Sequence, residues 1–149
     1  MSFFIGVWNQ FNKLILPSSL HKITSKTTLL ITFTGKKSGM TYTTPVNYTQ
    51  MGNTLRITSL RTRLWWRNLK TNPEVIITLR GNKVNGVAKV FEDRRTVANE
   101  LDNYLKPAPR MARYFNVSAN PDGSFNENDL FNSAEGRVVI KVEIKDLSK

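Results

Sequence analysis

The feature that most constrains this chain is a series of short β-branched and apolar segments separated by glycine-containing turns. Such segments predict strands, and tight turns between them predict antiparallel pairing, because parallel strands need much longer crossovers. The predicted strands are residues 28–34, 41–49, 55–58, 75–80, 84–91 and 138–144. Pro45 in the second strand marks an edge or a bulge, since proline cannot donate to a ladder. About six strands in one curled sheet predict a mainly β (α+β) fold, an antiparallel barrel with helices outside.

Helical periodicity and capping signals occur between and around these strands. Apolar residues at i, i+3, i+4 and i+7 spacing in residues 3–16 predict an amphipathic helix that docks on the core or, alternatively, lies on a membrane surface. The predicted helices are residues 3–16, 64–71, 94 to about 105, with Asp93 as N-cap, and 110–115. Residues 116–136 are rich in Asn, Asp, Ser and Gly and predict a long loop. We expect a single domain over residues 1–149.

Two scarce residue types exclude several classes of chemistry. The chain has no cysteine, which excludes disulfides, thiolate catalysis and cysteine-based metal sites. His21 is its only histidine, so a zinc site or a Ser-His-Asp triad is a poor prediction, and a surface or cap histidine is the simpler interpretation. No run approaches the ~20 apolar residues of a membrane span, and the N-terminus lacks the basic start of a signal peptide. We therefore expect a cytoplasmic protein, with residues 3–16 as the segment that would contact a membrane.

The distribution of charge indicates an anionic partner. The net charge is +11, and the first acidic residue is Glu74. Ten basic residues precede it, whereas twelve basic and eleven acidic residues make up the rest. An acid-free basic half raises the local concentration of anions, so a phosphorylated cofactor, nucleic acid or an anionic membrane are the candidate partners.

One turn in this half has the composition of a phosphate site. Residues 34–39 (TGKKSG) combine two glycines, two lysines and a serine hydroxyl, and such a turn can expose backbone N–H groups to a phosphate. The spacing differs from that of a Walker A loop, and a strand follows instead of a helix. A solvated basic turn is the common alternative.

A second segment combines arginine with tryptophan. Arg61, Arg63 and Arg67 stand beside Trp65 and Trp66, and guanidinium groups can clamp phosphate while an indole stacks on a planar ring. The alternative is that the arginines face solvent while a tryptophan packs in the core. Helical spacing places the two tryptophans on different faces, so we predict one in the core and the other nearer the surface.

The two elements together resemble a known family. Residues 29–39 (LLITFTGKKSG), 43–46 (TTPV) and 65–75 (WWRNLKTNPEV) are similar, in order and spacing, to the deazaflavin (F420)-dependent nitroreductase family. The resemblance covers about residues 25–91 and is compatible with the last strand. It implies a split β-barrel related to FMN-binding barrels, with F420 as the cofactor and FMN or FAD as alternatives. It also implies a homodimer.

The resemblance assigns roles by position. The turn lysines and their neighbours would hold the phosphate and tail, the residues of the second and third strands would line the ring pocket, and the tryptophan and asparagine would buttress the site. Arg61 or Arg63 would replace a lysine that the family has where Leu60 stands here. The assigned cofactor-binding residues are Lys36, Lys37, Ser38, Gly39, Pro45, Val46, Ser59, Arg61, Arg63, Trp65 and Asn68.

The implied activity is hydride transfer from the reduced cofactor to a quinone, an enone or a nitro compound. The cofactor carries this chemistry and the protein orients it, which agrees with a chain that has no obvious acid–base apparatus. Tyr104 and Tyr114 are the candidates for supplying a proton. One alternative is a non-catalytic barrel that binds a flavin, a tetrapyrrole or a lipid. Another, weaker alternative is a barrel that binds single-stranded nucleic acid, because basic residues alternate with aromatic ones.

Overall fold

A computed structural model describes residues 27–145 as a six-stranded antiparallel barrel. Neighbouring strands follow the order β1-β2-β3-β6-β5-β4 around the closed barrel. The strands are β1 (Thr28–Thr34), β2 (Thr41–Met51), β3 (Thr54–Leu60), β4 (Glu74–Leu79), β5 (Asn82–Phe91) and β6 (Arg137–Ile144). The predicted barrel is confirmed, with every strand within a few residues of its expected place. The helix predicted at residues 3–16 and His21 lie outside the described residues.

The two longer helices cover the outside of the barrel, as predicted, whereas a short helical segment packs into its core. A 3₁₀ helix at Trp65–Arg67 continues into α1 (Asn68–Thr71). Asp93 caps α2 (Arg94–Leu105) by accepting the backbone N–H of Thr96 at 3.1 Å. A second 3₁₀ helix spans Pro109–Phe115. Within residues 27–145, no helix is both long and apolar enough to cross a membrane.

The prediction of one long loop over residues 116–136 was wrong, because α3 (Glu127–Ala134) lies inside it. The side chain of Asn126 caps this helix by accepting the backbone N–H of Asp129 at 2.9 Å. Acidic side chains in the first turn also favour the helix N-terminus. Leu130 and Ala134, four residues apart, are both buried. Capping and a two-residue apolar face therefore outweigh the polar composition.

Two hydrophobic cores position the site. The first fills the barrel with side chains from the strands, together with Trp65, Trp66 and Leu69. The second lies between the barrel and the helices, where Tyr104 and Phe115 meet edge to face at 5.6 Å and Val139 contributes from β6. The 3₁₀ helix that carries the tryptophans therefore belongs to the barrel core, whereas α2 and α3 cover the outside.

The barrel has an open seam between β2 and β3. Seven residues of β2, Thr41 to Asn47, pair with β1. Pairing with β3 begins only at Tyr48↔Ile57 and runs to Met51↔Thr54. The stretches 41–47 of β2 and 58–60 of β3 are thus unpaired on their facing edges. Pro45 lies on this open edge, which confirms the edge position predicted for it and explains how the strand tolerates a missing N–H.

Candidate functional site

A cavity of about 390 Å³ lies at this seam. Its walls come from the start of β1, the unpaired parts of β2 and β3, the loop that follows β3 and the first residue of β6. The lining residues are Thr28, Pro45, Val46, Asn47, Thr58, Ser59, Leu60, Arg63, Trp65 and Arg137. Five of these, Pro45, Val46, Ser59, Arg63 and Trp65, are among the cofactor-binding residues assigned from the sequence. We call this space the seam cavity.

Trp65 backs the seam cavity from the barrel core. Its side chain is 1% exposed, and its indole Nε1–H donates a hydrogen bond of 3.2 Å to Ser59 Oγ. Its ring also lies 5.7 Å from the Phe33 ring in the barrel core. A buried indole whose N–H has a partner keeps one orientation. The indole therefore supports the cavity from behind, and the partly exposed Pro45 and Val46 supply the apolar surface opposite β3.

The electrostatics of the seam cavity favour an anion. Two guanidinium groups, those of Arg63 and Arg137, line it, and no carboxylate does. Arg63 is exposed, whereas Arg137 is half-buried and its guanidinium stands 4.6 Å from the Phe115 ring centroid. Burial lowers the pKa of Arg137, and the neighbouring Tyr104 opposes part of that shift. In the part of the chain that the structure describes, neither arginine forms an ion pair.

The turn between β1 and β2 carries two free charges on a constrained backbone. Gly35 N–H donates to Met40 O at 2.8 Å, and Gly39 has a φ of 71°, which favours glycine. A Cβ on Gly35 would lie 2.7 Å from both Ser38 Oγ and the Tyr42 ring, so the turn has no room for a side chain there. Lys36 and Lys37 are exposed.

Ser38 shapes this turn through its hydroxyl. The Oγ atom accepts from Met40 N at 3.2 Å and shares a 2.7 Å hydrogen bond with Tyr42 Oη. The predicted hydroxyl donor is thus engaged in the turn itself. Lys36, Lys37, Ser38 and Gly39 do not line the seam cavity.

Asn68 connects the turn to the cavity wall. Its Oδ1 accepts the backbone N–H of Lys36 at 3.0 Å, and its Nδ2 donates to Trp65 O at 2.9 Å. One side chain therefore fixes the basic turn against the helix that carries Trp65. Through this contact Asn68 would buttress a cofactor site, the role that the resemblance assigns to it.

The arginines of the second segment have separate surroundings. Arg61 Nη2 donates to the carbonyls of Glu92 and Arg137, and its backbone N–H donates to Gly136 O at 2.9 Å. Arg67 lies over the Trp66 ring at 5.4 Å. Arg63 alone of the three lines the seam cavity. The expectation that one tryptophan lies nearer the surface was wrong: Trp65 and Trp66 are 1% and 2% exposed, because the short helix is packed into the barrel core on both faces.

The two tyrosines proposed as proton donors lie apart. Tyr114 is 70% exposed, and Tyr104 is fully buried in the outer core. Neither lines the seam cavity. Burial raises the pKa of the Tyr104 hydroxyl, an effect that Thr58 and Arg137, two cavity residues, partly oppose. The Tyr104 hydroxyl has no hydrogen-bond partner of ordinary geometry among residues 27–145.

Sequence reasoning missed five lining residues: Thr28, Asn47, Thr58, Leu60 and Arg137. Three of them, Thr28, Asn47 and Thr58, lie within predicted strands, but the seam that exposes them depends on where the β2–β3 ladder stops. Arg137 comes from the far end of the chain and reaches the cavity through its pairing with Leu60. The available signal was a basic residue at the start of the last strand. No neighbouring residue in the sequence indicated that it would line a ligand cavity.

Several solved structures share this fold. An F420 reductase matches with a TM-score of 0.51 at 21% identity, covering 87% of this chain and 93% of its own. A FAD-binding protein from Mesorhizobium loti matches with a TM-score of 0.51 at 14% identity, covering 89% and 91%. A domain-swapped dimer matches with a TM-score of 0.55 at 15% identity, covering 95% and 98%. At these identities the likeness shows a common split-barrel architecture.

The sequence itself identifies the family. No curated protein matches the chain. Residues 17–106, more than half of the chain, match the family described as F420H(2)-dependent quinone reductase. That range contains the basic turn, the seam strands and the tryptophan helix, which are the elements that carried the resemblance. The chain therefore belongs to the F420H(2)-dependent quinone reductase family and is an oxidoreductase whose cofactor is F420.

Proposed function

We propose that this chain reduces a quinone-type acceptor by hydride transfer from reduced F420 bound at the seam cavity. The observation that carries the proposal is the lining of this cavity, where the apolar side chains of Pro45 and Val46, backed by Trp65, lie beside the exposed Arg63 and no carboxylate is present. An apolar surface suits a planar ring, and an unpaired guanidinium group suits an anion. Enone and nitro compounds, which accept hydride at the same kind of site, are the other candidate acceptors.

The residues present fit the cofactor. Pro45 and Val46 would contact its ring system, with Trp65 behind them, and Arg63 would face its negative charge. The exposed Lys36 and Lys37 would hold the phosphate-bearing tail, with the backbone of Ser38 and Gly39 beside them. Ser59 and Asn68 would keep the indole and the turn in place through the hydrogen bonds described above. When bound, reduced F420 supplies the hydride, and the protein supplies orientation and charge.

A binding titration with charge-matched variants tests the cofactor site. Wild-type protein and a Lys36→Ala/Lys37→Ala variant are titrated with F420, FMN and a single-stranded oligonucleotide, followed by cofactor fluorescence and anisotropy. The matched control is Lys83→Ala/Arg95→Ala, which removes two exposed charges from β5 and α2. We expect F420 affinity to fall about tenfold in the turn variant and to stay near wild type in the control, as loss of charge-assisted contacts implies. Equal losses in both variants would show non-specific attraction, and salt-sensitive oligonucleotide binding without F420 binding would contradict the proposal.

A turnover assay tests the acceptor class. Oxidation of F420H2 is followed with a quinone, an enone and a nitroaromatic compound, each at several concentrations. We expect the quinone to give the highest kcat/KM. F420 binding without quinone-dependent oxidation would contradict the proposed reaction and leave the cofactor assignment intact.

We also infer that the chain forms a homodimer through the outer face of β4 and β5. Ile76 and Val87 are 40% and 38% exposed, and the pairings Glu74↔Val87 and Ile76↔Asn85 place them on the same face of neighbouring strands. The domain-swapped dimer of similar fold supports this inference. Light scattering should give twice the chain mass for wild type and a monomer for Ile76→Lys. A wild-type monomer at micromolar concentration would contradict the dimer.

A further inference from the structure

A second cavity of about 410 Å³ adjoins the seam cavity. It lies between the outer helices and the start of β6, and the two cavities have Leu60 and Arg137 in common. Its lining residues are Leu60, Phe115, Asn116, Asp129, Asn132, Ser133, Gly136 and Arg137. We call it the helix-side cavity. It offers an aromatic ring and neutral amide and hydroxyl groups on the far side of Arg137 from Trp65.

Arg137 stands between the two cavities with its donors unfilled. Its guanidinium packs on Phe115, and no hydrogen bond or ion pair from its side chain joins it to residues 27–145. Its backbone carbonyl accepts from Arg61 Nη2 at 3.2 Å, and its backbone pairs with Leu60, so its position is fixed from both sides. A half-buried guanidinium loses part of its hydration, and here it gains no hydrogen-bond acceptor in exchange. This arrangement costs free energy unless a ligand supplies the acceptor.

The carboxylate near this position already accepts a hydrogen bond from the protein. Asp129 is the one carboxylate in the lining of the helix-side cavity, and its Oδ2 accepts the backbone N–H of Ser118 at 3.0 Å. Asn132 Oδ1 faces Arg94 Nη2 at 3.5 Å. Arg137 is therefore the charged group in this cavity with donors to offer a ligand oxygen.

We propose, on the basis of the proposed function, that the helix-side cavity binds the acceptor and that Arg137 donates hydrogen bonds to an acceptor carbonyl oxygen at the junction of the two cavities. Phe115 would contact the apolar ring of a quinone, and Asn116 and Ser133 would meet its second oxygen. Overall, F420H2 gives up two electrons and two protons, and the quinone takes up the same number. Both electrons and one proton move as a hydride, and the second proton is exchanged through water. The products are the hydroquinone and oxidised F420. Arg137 stays protonated and stabilises the negative charge that grows on the acceptor oxygen.

Calorimetric titration with a water-soluble benzoquinone tests this assignment, in the presence and absence of oxidised F420. Arg137→Gln should weaken quinone binding about tenfold or more and raise the quinone KM by a similar factor, because a charge-assisted hydrogen bond is lost. Arg137→Lys should restore part of the affinity. The F420 dissociation constant should change less than about twofold in both variants.

Two further variants separate binding from structure. Arg113→Gln removes a guanidinium that lies 5.8 Å from the adjacent Tyr114 ring but lines neither cavity, so quinone affinity should stay at the wild-type value. Gly136→Leu adds a side chain where a Cβ meets no atom within 4 Å, so it should occlude the helix-side cavity without breaking a contact. It should abolish measurable quinone binding and leave F420 binding intact.

The outcomes distinguish this inference from the proposed function. Unchanged quinone affinity in Arg137→Gln and Gly136→Leu would overturn the acceptor site, even if F420 binding and quinone reduction persist. A parallel loss of F420 and quinone affinity would place Arg137 on the cofactor and would also overturn it. Failure of wild-type protein to bind F420 would instead contradict the proposed function.

Discussion

The turn between β1 and β2 and the segment from Arg61 to Arg67 are both basic, yet they use their charges differently. Lys36 and Lys37 are exposed on a turn that backbone hydrogen bonds and glycine hold in shape. In the second segment, Arg61 donates to two backbone carbonyls and Arg67 lies over Trp66, so only Arg63 lines the cavity. The net charge of a sequence thus includes cations that are available to a ligand and cations that already interact with other groups of the protein.

Truncation of Trp65 should have the largest effect on stability, because this segment belongs to the core whereas the basic turn lies on the surface. The indole is buried in the barrel core and hydrogen-bonded to Ser59, so Trp65→Ala leaves a large cavity and removes that hydrogen bond. We expect a loss of about 3–5 kcal/mol in the free energy of unfolding. Urea denaturation followed by circular dichroism measures it. Lys36→Ala, a surface change, should stay within about 0.5 kcal/mol of wild type. A loss below about 1 kcal/mol for Trp65→Ala would mean that the segment is not part of the core.

Arg61 and Arg63, two residues apart, should separate stability from binding. Arg61→Gln removes charged donors to the Glu92 and Arg137 carbonyls and should cost about 1.5–3 kcal/mol of unfolding free energy. Arg63→Gln should leave stability within about 0.5 kcal/mol of wild type but weaken F420 binding. The measurements are urea denaturation and cofactor titration on both variants. The reverse pattern would assign the structural role to Arg63 and the ligand contact to Arg61.

Asn68 contacts both regions, and its loss should reduce the free energy of unfolding by less than the loss of Trp65 or Arg61. Asn68→Ala removes the acceptor for Lys36 N and the donor to Trp65 O. Each neutral hydrogen bond contributes about 1 kcal/mol, so we expect a loss of about 1–2 kcal/mol in unfolding free energy together with weaker F420 binding. Lys36→Ala should affect binding alone. If Asn68→Ala reduces stability without changing F420 affinity, the turn does not depend on this contact for its shape.

The strands could be predicted from local pattern, whereas the seam could not. Alternation and glycine turns placed all six strands, and Pro45 marked an edge. The point where β2 and β3 separate is set by pairing between distant residues, Tyr48 with Ile57 at its limit. Arg137 lies 77 positions after Leu60 in the chain but opposite it in the sheet. Its position at the cavity therefore depends on which strands pair, and local sequence patterns do not specify that pairing.

The α3 helix shows a different limit. Its polar residues favour a loop by composition, and the helix is stabilised by one cap at Asn126 and by burial of Leu130 and Ala134 against the outer core. Short helices of this kind depend on tertiary packing more than on propensity. The prediction for the tryptophan pair was wrong for a related reason, because a short helix packed into the barrel core can bury opposite faces.

The smallest expected effect concerns Tyr104, which lies beneath Thr58 and Arg137 and lines neither cavity. Its ordinary pKa is 10.0, and burial raises that value in the folded state. The folded protein then holds the proton more tightly than the unfolded chain does. Its contribution to stability is full below about pH 10 and is lost as the pH rises through the folded pKa. Tyr48, whose pKa burial also raises against the opposing effect of Arg80, contributes with the same sign.

Tyr104→Phe should therefore flatten the loss of stability above about pH 9, where an unfolded tyrosine begins to ionise. It should change the unfolding free energy at pH 7 by less than about 1 kcal/mol, because the buried hydroxyl has no partner of ordinary geometry. Urea denaturation at several pH values measures the slope, with Tyr114→Phe, at an exposed tyrosine, as the control that keeps it. A variant that loses quinone reduction at pH 7 with wild-type stability would instead indicate that the Tyr104 hydroxyl exchanges a proton with the site. Unlike the exposed lysines of the basic turn, the Tyr104 hydroxyl is buried and lines neither cavity, so its loss should leave F420 affinity unchanged.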